Sequence, residues 1–209
     1  MTIATSSTTP AVSAPSTRPL LVVVILWFVA ALGVVRSGVL ESVLVPPPAL
    51  AIVLASLVLL VYAAVPIVRA RLNAIPLAVL VGWHVLRIVA GGNFLRLHTQ
   101  GVLPADFALP AGIGDVAVGV GALLVLAVAL PVRKPWQRTT LLVWNALGLL
   151  DILAVLGNGA RYAVSQPELI VPFTQLPLAM LPLFVVPLVI VAHVLVFVRV
   201  RRNALPTPP

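Results

Sequence analysis

Long apolar stretches, each followed by a short polar or basic segment, are the main pattern along this chain. Six of them predict helices, because a helix needs about 20 mainly apolar residues to cross the hydrocarbon core of a membrane. Gly91, Gly92 and Asn93 predict fraying within the third stretch, and Pro182 and Pro187 predict a kink in the sixth. The predicted spans are Leu20–Val35, Ala49–Val68, Ile75–Leu95, Ala111–Leu130, Thr140–Leu156 and Leu178–Val198. The sequence therefore predicts an all-α, polytopic integral membrane protein, a bundle of six transmembrane helices.

The segments outside these stretches predict two tails and two long connections. Residues 1–19 are rich in Ser, Thr and Pro, which predicts a disordered tail before a transmembrane domain at 20–200 and a short tail at 201–209. The connections Thr99–Pro110 and Asn158–Pro177 mix prolines with apolar residues. We predict that they are loops, which lie at the membrane interface or fold back as lids.

Basic residues mark one side of the predicted bundle, and this distribution predicts its orientation. Nine of them lie on that side: Arg18, Arg69, Arg71, Arg133, Lys134, Arg138, Arg199, Arg201 and Arg202. The opposite side has only Arg36, Arg96 and Arg161, with Glu41, Asp106 and Glu168 beside them. Because cytoplasmic loops carry the excess of Lys and Arg, both termini are predicted to be cytoplasmic. Twelve arginines against one lysine, with many Ala, Val and Leu, indicate a GC-rich bacterial genome and thus a bacterial cytoplasmic membrane.

Composition and motifs narrow the classes of function. Only 9% of residues are charged, against about 25% in soluble domains, so the lipid bilayer is the expected partner. The net charge of +8 lies at the edges of apolar stretches, so topology explains it better than nucleic acid does. The absence of cysteine excludes disulfides and iron–sulfur clusters. The glycines of Gly112–Gly119 lack dinucleotide-binding spacing, and no phosphate loop or HExxH motif occurs, which argues against an enzyme without excluding one.

Three charged side chains fall inside the predicted spans, where insertion costs about 2.5–3.5 kcal/mol for each charge. Arg87 lies about 18 Å beyond Ile75, and Asp151 lies about 17 Å beyond Thr140, so their depths match. Asp115 is placed about 6 Å below the outer edge, near a predicted helix N-terminus that would favour a carboxylate. We therefore predict that Arg87 pairs with Asp115 or Asp151, which leaves the other carboxylate uncompensated.

This excess of acid predicts a transporter or permease-like protein for a small solute or ion. Arg87 would bind an anionic group or neutralise a carboxylate, while Asp115 and Asp151 would carry a proton or bind a cation. His84 and Asn145 would line the same polar site, and no cofactor is expected. One alternative is a non-catalytic assembly subunit, in which the polar residues only hold helices together.

A second alternative uses two histidines on different spans. His84 and His193 are predicted at about 13 Å and 8 Å from the cytoplasmic edge. Imidazoles at similar depth could ligate a b-type haem, or bind a divalent metal with the aspartates. The sequence therefore leaves a membrane redox protein as an alternative to a transporter.

Overall fold

A computed structural model describes residues 16–42 and 45–202 of the chain, and its regular structure is helical throughout. Six helices are long and apolar enough to cross a membrane, which confirms the all-α prediction and the number of long helices. These six are Arg18–Arg36, Pro47–Ala64, Leu77–Thr99, Ala105–Val128, Pro135–Ser165 and Leu181–Arg202.

Local irregularities divide some of the long helices into shorter elements. The α-helices are α1 (Arg18–Arg36), α2 (Val39–Ser42), α3 (Pro47–Ala64), α4 (Pro66–Asn73), α5 (Leu77–Gly82), α6 (Arg87–Thr99), α7 (Ala105–Val128), α8 (Pro135–Ser165) and α9 (Val186–Arg202). A 3-10 turn at Trp83–Leu86 joins α5 to α6, and a π turn at Leu181–Val185 precedes α9. A 3-10 helix, Pro167–Thr174, lies between α8 and the π turn.

The prediction of two long loops is wrong for most of their length. Helix α7 begins at Ala105 and continues through Pro110. Proline has no N–H for the carbonyl four residues earlier, which here belongs to Asp106. The side-chain amide of Asn158 donates to that carbonyl at 2.9 Å, so the proline is tolerated inside the helix. Asn158 itself is helical because α8 continues to Ser165.

The predicted fraying of the third span is also wrong, because α6 is continuous through its two glycines. A Cβ on Gly91 would overlap the carbonyl of Gly112 and lie 2.9 Å from the Cβ of Asp115, whereas one on Gly92 would meet nothing within 4 Å. Gly91 thus marks the closest approach of α6 to α7, and this glycine serves helix packing rather than helix termination.

A π turn that contains Pro182 lies where the sixth span is predicted to kink. Pro187 follows four residues after Leu183 and has no N–H to offer its carbonyl. The indole Nε1 of Trp27 on α1 donates to that Leu183 carbonyl at 2.9 Å. A side chain from another helix thus satisfies a backbone group beside a proline here, as Asn158 does in α7.

Helix α9 lies at the centre of the bundle and α1 at its edge. Leu195 and Val196 of α9 are almost fully buried, whereas α1 buries only Ala31 and Val35. The predicted tails fall mainly in residues 1–15 and 203–209, outside the described residues. Most of the described part of these tails is helical, since α1 begins at Arg18 and α9 ends at Arg202; residues 16 and 17 precede α1.

Candidate functional site

Three helices bring the predicted charged residues together around one guanidinium group. Arg87, the first residue of α6, donates from Nε to Asp115 Oδ1 at 2.6 Å and from Nη2 to Asp151 Oδ2. Its Nη1 donates to the carbonyl oxygen of Gly148 at 3.0 Å. We call Arg87, Asp115 and Asp151 the buried cluster, since it joins α6, α7 and α8 inside the bundle.

Burial and charge are unevenly shared within the buried cluster. The side chains of Arg87 and Asp115 are 3% and 6% exposed, whereas that of Asp151 is 20% exposed. If both carboxylates are ionised, one positive and two negative charges leave the cluster at −1. Arg87 uses three of the five N–H groups of a guanidinium in these contacts, which leaves two donors. The buried cluster therefore has spare hydrogen-bonding capacity, and it carries an excess negative charge whenever both carboxylates are ionised.

Two expectations for these residues need correction. Asp115 is not near a helix N-terminus, because α7 begins at Ala105 and places Asp115 about 15 Å along the helix. The expected choice between two ion pairs is also wrong, because Arg87 contacts both carboxylates. Gly114 makes room for the second contact, since a Cβ there would overlap the Asp151 carboxylate.

The other predicted site residues form a separate group, the histidine cluster of His84, Asn145 and His193. All three side chains are fully buried. Asn145 donates from Nδ2 to the His193 carbonyl at 3.0 Å, which turns its Oδ1 toward His193 Nδ1 at 2.9 Å. An amide oxygen only accepts, so Nδ1 carries the hydrogen and Nε2 of His193 is a bare acceptor.

Three nitrogen atoms of the histidine cluster have no hydrogen-bond partner in the part of the chain that the structure describes. They are both ring nitrogens of His84 and Nε2 of His193. Gly148 lies between this cluster and the buried cluster: its carbonyl accepts from Arg87, and a Cβ on it would lie 2.7 Å from His193 Cε1. The five predicted ligand-binding residues therefore lie in two adjacent groups that meet at Gly148, and their role in binding stays a prediction.

The histidine geometry bears on the haem and metal alternatives. The rings of His84 and His193 stack with centroids 4.0 Å apart and planes tilted by 35°. Rings in direct contact leave no gap for a porphyrin between their nitrogens, so this arrangement does not fit a haem held by the pair. Within residues 16–42 and 45–202, no group of three or more His, Cys, Asp or Glu side chains could hold a metal ion. The divalent-metal alternative stays a prediction.

A cavity of about 60 Å³, partly open to the surroundings, ends at the buried cluster. Arg87 and Asp115 are its charged lining residues, and the rest of its wall is almost entirely apolar. Phe94, Phe107 and Phe173 form one side of this wall, with ring centroids 5.5–6.2 Å apart. The cavity thus combines apolar walls with an ion pair at one end.

Sequence reasoning missed this cavity. Phe94, Phe107 and Phe173 are three of the six phenylalanines. Phe107 and Phe173 lie in connections predicted to be loops, whereas Phe94 lies within the predicted third span. The position of Phe107 and Phe173 in the two proline-containing connections was the available signal. The second of these connections, Asn158–Pro177, contains the 3-10 helix Pro167–Thr174. This helix places Phe173 and Ile170 over the cavity.

A second ionic group joins α7 and α8 near their ends. Asp106 accepts from Arg161 Nη2 at 2.9 Å through one oxygen and from the Tyr162 hydroxyl through the other. The side chains of Arg161 and Asp106 are 56% and 61% exposed. We call Asp106, Arg161 and Tyr162 the helix-end cluster, which offers a solvent-accessible counterpart to the buried cluster.

Comparison with known proteins identifies a protein family. No curated protein matches the chain, and no solved structure does. The family described as Domain of unknown function (DUF8737) matches residues 46–201, which are 156 of the 209 residues. This range includes the buried cluster, the histidine cluster and the cavity, and it excludes helix α1. The chain therefore belongs to the family described as Domain of unknown function (DUF8737).

Proposed function

We propose that this protein is a small transporter of a bacterial cytoplasmic membrane, with both termini in the cytoplasm and its coupling site at the buried cluster. Large apolar side chains are exposed along the long helices, as at Leu60, Leu124 and Leu150, which supports contact with lipid. The observation that carries the proposal is one guanidinium shared by two carboxylates inside the bundle.

The charge of the buried cluster is the reason to propose coupling. A charge of −1 in a region of low dielectric is costly, and one proton or one monovalent cation would neutralise it. Asp115 and Asp151 are the groups that would take up that charge. Because Arg87 neutralises one of the two carboxylates, the cluster needs one further positive charge and not two. Uptake and release of a single positive charge is the elementary step that a proton-coupled or cation-coupled transporter requires.

Access to the buried cluster supports transport over purely structural pairing. Asp115 lines the cavity, whereas the more exposed Asp151 does not. The two carboxylates therefore differ in their surroundings, although Arg87 contacts both. In an assembly subunit, ion pairs only hold helices together, and no cavity beside them is needed.

Proton movement through liposomes that contain the purified full chain tests this proposal. A potassium diffusion potential would drive protons inward, and a pH-sensitive dye inside the vesicles would report them. We expect proton entry above that of protein-free liposomes, and its loss in Asp151→Asn and in Asp115→Asn. These variants keep side-chain size and hydrogen bonding but cannot carry the charge.

Asp106→Asn is the matched control, since it makes the same chemical change in the helix-end cluster. It should retain parental proton entry. The same vesicles would be loaded with a sodium-sensitive dye to follow Na⁺ entry. Parental protein that behaves like protein-free liposomes toward both protons and Na⁺ would overturn the proposal, and so would parental flux in Asp151→Asn. Insertion of each variant would be checked by its detergent-extracted yield and helical circular dichroism.

A further inference from the structure

We propose that the cavity beside the buried cluster binds a small neutral solute that has a hydroxyl group on a short apolar body. The inference rests on the proposed function and deepens it, because it names the class of solute that would pass the site. It is carried by the composition of the cavity wall, by the spare hydrogen-bonding groups at its end, and by its volume.

The walls determine the body of the solute. Three phenylalanines, three prolines and several branched aliphatic side chains surround the cavity. A polar solute would lose its hydrogen bonds to water against these walls without replacement, at a cost of about 1–3 kcal/mol for each group. An aliphatic body meets no such penalty and gains from leaving water.

The charged end determines the head group. Arg87 has two N–H groups that its contacts with Asp115, Asp151 and Gly148 do not use. Asp115 uses only Oδ1 in its contact with Arg87, and its Oδ2 has no hydrogen-bond partner among the described residues. Because Arg87 and Asp115 both line the cavity, a solute there would have donors of the one and an acceptor of the other as its polar partners. A hydroxyl group can accept from the guanidinium and donate to the carboxylate at once.

Charged head groups match this end less well. A carboxylate on the solute would face a cluster that already carries −1 when both aspartates are ionised. An ammonium group could donate to Asp115 Oδ2, but it would also lie against the like charge of the Arg87 guanidinium, which repels it. Either ion would also lose its hydration between apolar walls. A neutral hydroxyl avoids all three costs.

The volume limits the size of the body. The cavity measures about 60 Å³. An engineered apolar cavity of about 150 Å³ accommodates benzene. The solute therefore has a body smaller than a benzene ring, of roughly three carbon atoms by this comparison. Propan-1-ol is a suitable probe of that class.

The test compares three probes of equal chain length: propan-1-ol, propylammonium and propionate at neutral pH. The purified full chain in mild detergent would be melted at increasing concentrations of each probe. A ligand of the folded state raises the melting temperature in a saturable way. We expect such a rise for propan-1-ol, with an apparent affinity at least about tenfold tighter than for either ion, since each ion meets a like charge and loses its hydration between apolar walls.

Two variants tie the effect to this cavity. Ala90→Leu places three more carbon atoms on a lining residue and should abolish the saturable rise, which also corrects for general effects of alcohol on the micelle. Phe173→Ala removes a ring from the cover and should shift the preference toward a longer alcohol such as hexan-1-ol. Neither residue belongs to the buried cluster.

The outcomes separate this inference from the proposed function. Equal affinity for the three probes, or a rise that persists in Ala90→Leu while Phe173→Ala leaves chain-length preference unchanged, would overturn the inference. Proton entry into liposomes without selective alcohol binding would leave the transporter in place with another solute. Selective binding without proton or Na⁺ entry would keep the cavity as a binding site and reject the proposed coupling.

Discussion

The buried cluster and the helix-end cluster use the same charged residue types in opposite ways. In the buried cluster one arginine serves two carboxylates, so acid is in excess. In the helix-end cluster one carboxylate, that of Asp106, accepts from Arg161 and Tyr162, so donors are in excess. The first is almost closed to solvent and the second is more than half exposed. Stoichiometry and surroundings, rather than residue type, distinguish a candidate coupling site from a surface ion pair.

The two clusters should differ most in how much stability the protein loses when the arginine of each is replaced. Arg87→Leu leaves two carboxylates in the bundle with no counter-charge, and we expect it to lower the free energy of unfolding by about 3–5 kcal/mol. Arg161→Leu removes a partner that is 56% exposed, where water replaces the lost contact, and should change stability little. Unfolding of both variants in mixed detergent micelles, followed by circular dichroism, measures the difference.

A combined variant tests whether unpaired charge causes the loss of stability expected for Arg87→Leu. Arg87→Met with Asp115→Asn and Asp151→Asn removes all three charges of the buried cluster. Buried ion pairs replaced by uncharged groups of similar volume often cost nothing, so most of the stability lost in Arg87→Leu should return. Proton entry should not return. If the triple variant is as unstable as Arg87→Leu, packing of the arginine stem matters more than its charge.

The next largest effect concerns the packing of α6 against α7, the helices that carry Arg87 and Asp115. Gly91 lies at the close approach of α6 to α7, where a Cβ would overlap the Gly112 carbonyl and crowd Asp115. We expect Gly91→Ala to destabilise by about 1–3 kcal/mol, as overpacking does in other cores. Gly92→Ala is the control, because its Cβ would meet nothing within 4 Å and a helix favours alanine. Equal stability of the two variants would show that α6 and α7 separate at little cost.

The sequence predicted the number of long helices and the meeting of Arg87 with the aspartates, because apolar length and helical rise are local properties. It placed Asp115 at the wrong depth because Pro110 was interpreted as part of a loop. The group that accommodates Pro110, the Asn158 amide, lies 48 residues later in the chain. Contacts of this kind depend on tertiary packing, and no local pattern of residues encodes them. The stacking of His84 on His193 is another such contact.

The smallest predicted effect concerns the hydrogen bond from the Asn158 side chain to the Asp106 carbonyl, beside the helix-end cluster. Asn158→Ala leaves a backbone carbonyl of α7 without its donor, and interhelical hydrogen bonds in membrane proteins average about 0.6 kcal/mol. In a Pro110→Ala background, residue 110 regains an N–H that can satisfy this carbonyl within the helix. Asn158→Ala should then cost less, so a double-mutant cycle should give a coupling energy of similar size. Additive effects would mean that Asn158 stabilises the helix-end cluster only through its contact with Arg161, and that α7 accommodates its proline unaided.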